Sequence, residues 1–164
     1  MGQRLDKRPG QFKEVPNRAG DTHFVRPEHV TGTLRRAYEL SRALERPFQR
    51  AAALMFMLSE IHPFDDGNGR VARALMNAEL VAGGQVRIII PTVFRDDCLR
   101  GLRNLSRLHD PEALIAVLEF AQRFVAAIDW TDFDREERQL RSANAFEPPS
   151  SHVKLLQPRN AKSE

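Results

Sequence analysis

Pro47-Phe-Gln-Arg-Ala-Ala-Ala-Leu-Met-Phe-Met-Leu-Ser-Glu-Ile61 runs directly into His62-Pro-Phe-Asp-Asp-Gly-Asn-Gly-Arg-Val-Ala-Arg73 and on through Ala74-Leu-Met-Asn-Ala-Glu-Leu-Val-Ala82. From Phe48 to about Ile61 the residues are apolar on nearly every side, the mark of a central, buried helix. Pro63 disfavours helix at His62 and Gly67 breaks the run, so His62 to Asn68 is read as a loop. A second helix is expected to open near Gly69 and run to about Ala82. Val71, Ala72, Leu75, Met76 and Leu80 are available for its packing, and Gly83-Gly84 closes it. Two helices joined by a polar loop point to a mainly α fold.

Upstream, residues 1–10 are basic, contain Pro9 and show no period; they read as a loose, disordered lead-in. Between Phe12 and Arg26 the turn residues Pro16, Asn17, Gly20 and Asp21 separate Val15 from Thr22-His23-Phe24-Val25, the signature of a small hairpin over about 12–27. Pro27 and Glu28 suit a helix start, and the helix is expected to reach about Glu45, with Val30, Leu34, Ala37, Tyr38 and Leu40 near one side. Downstream, Arg87 to Pro91 is short and proline-capped and reads as a buried connector. Helices are expected over Asp96–Arg107 and Pro111–Ile128, the second carrying Leu114, Val117, Leu118, Ala121, Val125 and Ile128 at helical spacing. A charged helix over Thr131 to about Ala145 offers Asp134–Arg138 and Glu137–Arg141 pairs. Residues 147–164 read as a disordered tail, leaving one domain over 11–146.

A chain of 164 residues can bury a real core without staples. The single cysteine, Cys98, excludes an internal disulfide. The longest strongly apolar run, Ala51 to Leu58, is far short of the roughly 20 residues of a bilayer span. Met1-Gly2-Gln3-Arg4 has no apolar stretch resembling a secretory signal. The expectation is a cytoplasmic protein without a membrane partner. Net charge is +3, with 21 Arg against four Lys. The arginines are scattered and usually near acidic residues, which favours a solvated mixed-charge surface over a nucleic-acid groove.

The loop has its own chemistry. The first N–H groups of the following helix have no internal partners, and its dipole favours anions. Gly67 and Gly69 let phosphate oxygens approach the amides closely, and Asn68 can add an amide donor. Arg70 and Arg73 lie three apart on one side of the helix. Asp66 is a hard oxygen ligand of the kind Mg²⁺ takes alongside substrate phosphates. His62 is a titratable base near neutral pH. Taken singly, Asp65, Asp66 or Asn68 reads as a helix N-cap, the glycines as turn residues, and His62 as a core histidine. Jointly, a base, a metal carboxylate, an amide cradle and two arginines make a phosphate-transfer site.

The segment resembles the active-site motif of Fic domains (filamentation induced by cAMP), His-Pro-Phe-x-Asp/Glu-Gly-Asn-Gly-Arg-x-x-Arg. His62, Pro63, Phe64, Asp66, Gly67, Asn68, Gly69, Arg70 and Arg73 match every specified position. The resemblance covers roughly Gly10 to Ile128 and implies a helical bundle with a hairpin "flap" beside the active-site loop. It also implies protein adenylyltransfer, with AMP passing from ATP to a Ser, Thr or Tyr hydroxyl of a target protein. His62 would be the general base and Phe64 would point into the core and anchor the loop. Asp66 would hold Mg²⁺. Gly67, Asn68 and Gly69 would form the anion hole, with Arg70 and Arg73 on the outer phosphates. The flap, with Thr22, His23 and Phe24 foremost, would pair its backbone with an extended segment of the target.

Many Fic proteins are held off by a helix carrying Ser/Thr-x-x-x-Glu-Gly/Asn. Ser41-Arg-Ala-Leu-Glu45 has the right start, but Arg46 follows, so it reads as ordinary helix. Three arrangements remain: a piece of a longer protein, restraint by a separate inhibitory, antitoxin-like protein, or constitutive activity. The intact Gly-Asn-Gly element favours AMP over the phosphate or phosphocholine moved by members with altered motifs; UTP or GTP stay open as donors. A basic, non-enzymatic nucleic-acid-binding module is the alternative of a different class, and a metal hydrolase a third. Target, regulator and oligomeric state are not encoded legibly.

Overall fold

Six α-helices and one two-stranded hairpin make up the computed structural model, which describes residues 8–149 and 152–158. The chain divides into two units, Met1–Gln85 and Val86–Glu164. Among the described residues no helix is long and apolar enough to cross a membrane.

In the first unit, β1 (Arg18–Ala19) and β2 (Thr22–His23) pair antiparallel, Arg18 opposite His23 and Ala19 opposite Thr22. Gly20 supplies the left-handed φ of +56° that so short a turn requires. The hairpin is smaller than expected, and exposed Val15 lies outside it. Pro16 has no N–H to give to a ladder. Pro27–His29 forms a single 3₁₀ turn before α1 (Val30–Arg42), which stops three residues short of Glu45. Val30, Ala37 and Ser41 are its buried line, whereas Tyr38 and Leu40 are exposed. At 100° per residue those two fall to either side of the buried stripe.

Helix α2 (Pro47–Ile61) begins on its proline and buries Ala51, Leu54, Met55, Leu58 and Ile61. Helix α3 (Asn68–Ala82) begins one residue earlier than expected and buries Asn68, Ala72, Met76 and Leu80, spaced four apart; Val71 and Leu75 lie more than a third exposed. Its end is a Schellman motif, with Gln85 N–H donating to Leu80 O, Gly84 N–H to Val81 O, and Gly84 at φ +69°. Helices α1, α2 and α3 pack in sequence order. Glu79 of α3 receives Arg50 of α2 and Arg42 of α1. Arg50 also donates to the carbonyls of Leu44 and Glu45, stapling the α1–α2 connection.

In the second unit, residues 86–91 have no regular structure; Ile88 and Pro91 are buried but Ile89 is half-exposed, so the expected buried connector is buried on one side only. A 3₁₀ turn (Thr92–Phe94) leads into α4 (Arg95–Leu108), followed by α5 (Glu112–Ala127) and α6 (Phe133–Ser142). Asp132 caps α6 by accepting from Arg135 N–H, so this helix starts two residues later than expected. Val93, Phe124, Val125, Ile128, Ala143, Ala145 and Leu155 form one core cluster. Leu155 lies in the segment expected to be a disordered tail. Residues 152–158 instead pack back: Leu156 N–H donates to Ala143 O, and Asn144 Nδ2 to Lys154 O. Burial of Leu155 and Pro158 supplies the apolar driving force that the Pro-Pro-Ser-Ser composition concealed. Residues 1–7 of the expected lead-in, and 150, 151 and 159–164 of the expected tail, lie outside the described residues.

Candidate active site

His62 stands at the C-terminus of α2, where its own backbone turns left-handed (φ 51°, ψ 58°) and its N–H still donates to Leu58 O. Its ring lies 3.8 Å from Phe24, nearly parallel at 7°. Ring atom Nδ1 is 3.1 Å from the carbonyl oxygen of Ser59. A carbonyl only accepts, so Nδ1 carries the proton in the neutral ring and the Nε2 lone pair is left for chemistry. Desolvation by burial pushes the His62 pKa below the ordinary imidazole value, and Lys13 adds to this; the Ser59 hydrogen bond and Glu60 oppose it.

The loop that follows is braced from within. Pro63 is fully buried. Asn68, 3% exposed, accepts from Phe64 N–H at 2.9 Å and donates to Phe64 O at 2.8 Å. Its carboxamide thus clamps the loop backbone, and what it offers a ligand is its main-chain amide rather than the side-chain donor expected. Phe64 is half-buried against Phe12, with ring centroids 5.6 Å apart, rather than inserted into the core.

Gly67, at φ +81°, caps α3, and Arg70 and Val71 N–H both donate to its carbonyl. The preceding amides in the helix, Asn68 and Gly69, therefore have no helical acceptor. A Cβ on Gly67 would lie 3.2 Å from Arg70 Nη2, and one on Gly69 would lie 3.4 Å from Arg73 Nη1. Each guanidinium thus folds over the glycine three or four residues before it, at the helix N-terminus. Asp66 is exposed; Oδ1 accepts from Gly67 N–H at 2.6 Å and Oδ2 is 3.8 Å from Arg70.

The Fic/DOC family matches residues 1–80, a stretch that contains this loop, the hairpin and all but the last two residues of the helix carrying both arginines. Over these residues the chain belongs to the Fic/DOC family. Protein adenylyltransferase fic-1 of Caenorhabditis elegans is 35% identical over 86 residues, covering 50% of this chain and 17% of that protein. Protein adenylyltransferase Fic of Nematostella vectensis is 49% identical over 51 residues, covering 31% and 12%. A Fic domain containing signaling protein from Bacteroides thetaiotaomicron superposes with a TM-score of 0.61 at 26% identity, over 69% of this chain and 51% of that one. C. elegans Fic-1 gives 0.59 at 26%, over 69% and 34%. The chain thus spans less than a fifth of the curated relatives named here and about half of the bacterial structure.

Within this Fic domain the hairpin sits against the motif loop, as Phe24 stacked on His62 shows. Phe24 is therefore turned toward His62, and of the flap residues singled out, His23 is exposed while Thr22 is half-buried. Among the described residues no three His, Cys, Asp or Glu side chains gather to hold a metal. Asp66 alone fits Mg²⁺, an ion that takes one or two carboxylates and completes its shell with phosphates and water. Three residues at the site escaped the sequence reading: Arg8, paired with Asp65 at 3.0 Å; buried Lys13; and Asn17, read only as a turn residue. Contacts spanning 45 to 57 residues leave no local pattern to find.

Proposed function

We propose that the chain transfers AMP from ATP to a hydroxyl of a target protein. The observation that carries this reading is the single usable nitrogen of His62, fixed by Ser59 and Phe24 in a loop that ends on a helix N-terminus whose glycines, Gly67 and Gly69, are overlain by Arg70 and Arg73. The relatives' names as protein adenylyltransferases and the complete motif support it. Nε2 takes the proton from the target hydroxyl while that oxygen forms a bond to the α-phosphorus. The bond from the α-phosphorus to the bridging oxygen breaks, and pyrophosphate leaves. The amides of Asn68 and Gly69 orient the α-phosphate, and Arg70 and Arg73 hold the charge that passes to pyrophosphate. Mg²⁺ on Asp66 would neutralise phosphate charge.

The target enters along β2. The Phe24 N–H to Asn17 O bond (3.3 Å) and the tight turn after Ala19 alternate along the ladder, so the backbone groups of His23 point away from β1, where a target strand can pair with them. Arg73 is exposed, and ATP is expected to bind without a second protein present; a separate inhibitory partner would act by covering it. Labelling a cell lysate with α-³²P-ATP and Mg²⁺ tests the reading. His62→Ala is expected to lose roughly 10²- to 10⁴-fold in transfer while still binding ATP. Removing Mg²⁺ with EDTA is expected to abolish transfer. A His62→Ala protein as active as wild type would overturn the assignment.

A further inference from the structure

Four consecutive carbonyls, those of Ile61, His62, Pro63 and Phe64, carry the chain from α2 into the motif loop, and two residues upstream of the hairpin hold them all. Lys13 Nζ donates to Ile61 O at 3.2 Å and Lys13 N–H to Pro63 O at 2.8 Å. Asn17 Nδ2 donates to His62 O at 3.3 Å and to Phe64 O at 3.1 Å. Lys13 Nζ also donates to Asn17 Oδ1 at 2.7 Å. The orientation of the Asn17 amide is forced, because an ammonium only donates and a carbonyl only accepts.

Two features make this more than loop packing. Lys13 is 3% exposed, and lysine is almost never so buried without a specific partner. His62 holds a left-handed backbone conformation, which a residue with a side chain keeps only where its surroundings over-determine it. The carbonyls on both sides of it are the ones that Lys13 and Asn17 grip. Asn17 O meanwhile accepts from Phe24 N–H, and Phe24 lies flat on the imidazole.

We propose that Lys13 and Asn17 are positioning residues for the general base, locking the loop that carries His62 to the foot of the hairpin so that imidazole and target-binding strand move as one body. What they position rests on the transfer reading; the brace itself rests on the bonds above. The charged groups acting on His62 are Lys13 across the brace and Glu60 on its own helix, so loss of the ammonium also removes a charge that favours neutral imidazole.

The test compares wild type with Lys13→Met, Lys13→Arg and Asn17→Ala. One arm is ¹⁵N NMR of the His62 ring, giving its tautomer and titration midpoint. The other is transfer from α-³²P-ATP to lysate proteins, giving the rate at saturating ATP and the KM for ATP. Wild type is expected to show the Nδ1–H tautomer. Lys13→Met and Asn17→Ala are expected to lose the single tautomer and roughly 10- to 100-fold of the saturating rate, with the KM for ATP changed by less than about two-fold. The midpoint rises in Lys13→Met, and Lys13→Arg restores it. The proposal is overturned if folded Lys13→Met or Asn17→Ala keeps the wild-type tautomer and rate, or loses rate only in proportion to the unfolded fraction. Should Lys13→Met not fold, Asn17→Ala decides by the same readouts. A wild-type protein that transfers nothing defeats the transfer reading alone, since the NMR arm still judges the brace.

Discussion

A histidine whose Nδ1 proton is tied to a carbonyl and whose ring face is covered by an aromatic has one nitrogen to work with and little water around it. Burial is the largest cause of the lowered His62 pKa, and the Phe24 ring stacked on it is part of that cover. In the proposed transfer His62 acts as base only when unprotonated, so a depressed pKa would extend activity to lower pH. In Phe24→Ala water reaches the ring, the pKa moves back up toward its ordinary value, and the acidic limb of the pH–kcat/KM profile moves to higher pH. Well above both values the two proteins differ only by whatever positioning Phe24 supplied. At Asn68 the consequence is stability. Asn68→Ala leaves Phe64 N–H without its acceptor, at a cost of about 1–3 kcal/mol in thermal denaturation. The motif was legible in the sequence because its residues are adjacent and chemically unusual together. The Asn68 clamp was not, because an asparagine inside a phosphate-binding motif reads equally well as donor to a ligand or donor to the loop.

Helices were legible wherever burial followed a period. Val30, Ala37 and Ser41 on α1 and Ala72, Met76 and Leu80 on α3 are such lines; Tyr38, Leu40, Val71 and Leu75 are apolar neighbours the period does not bury. The two-residue strands were not legible in their bounds, since their register rests on a turn and on Asn17–Phe24 rather than on alternation. The paired glycines after α3 were read simply as a stop, yet they do different work. Gly83 has an ordinary φ, but a Cβ there would lie 2.4 Å from Pro47 Cβ, the ring that opens α2. Gly84 has open space around it and a φ of +69°. Gly83→Ala is therefore expected to cost about 1–3 kcal/mol through overpacking of a stiff ring, and Gly84→Ala about 1–2 kcal/mol through backbone strain alone. Pro47→Gly removes both Cβ and the ring, which relieves the first and leaves the second unchanged, as a double-mutant cycle in urea measures. In the second unit Gly101 repeats the steric case against backbone: its Cβ would meet Leu114 Cα at 2.8 Å, and no rotamer change can relieve that.

At the scale of the whole chain the question is whether an excess of arginine makes a second, nucleic-acid-binding surface. The net charge is small, 25 basic less 22 acidic residues. Affinity for a polyanion depends on how many cations can face phosphates at once, each releasing counterions. Here arginines are drawn to nearby carboxylates in both units: Arg8 to Glu14 and Asp65, Arg36 to Glu39, Arg50 to Glu79, Arg100 to Asp97, Arg135 to Asp129 and Arg141 to Glu137. Each such pair is worth little to stability when exposed, but it places an anion beside the cation that phosphate would need. Arg70 meets only exposed Asp66, at 3.8 Å, and it and Arg73 fold over Gly67 and Gly69 of one short site, an extent that suits the triphosphate of the proposed reaction rather than a duplex. Fluorescence anisotropy with a 20-base-pair DNA is accordingly expected to show no saturation at micromolar protein in physiological salt, weaker than the roughly 10⁻⁴–10⁻⁶ M of ordinary non-specific binders. ATP, by contrast, is expected to bind, and Arg70→Ala and Arg73→Ala are expected to weaken it, whereas removing Arg100 or Arg135 leaves it unchanged. Micromolar DNA affinity with a steep salt slope, undisturbed by loss of Arg70 and Arg73, would return the arginines to a nucleic-acid role.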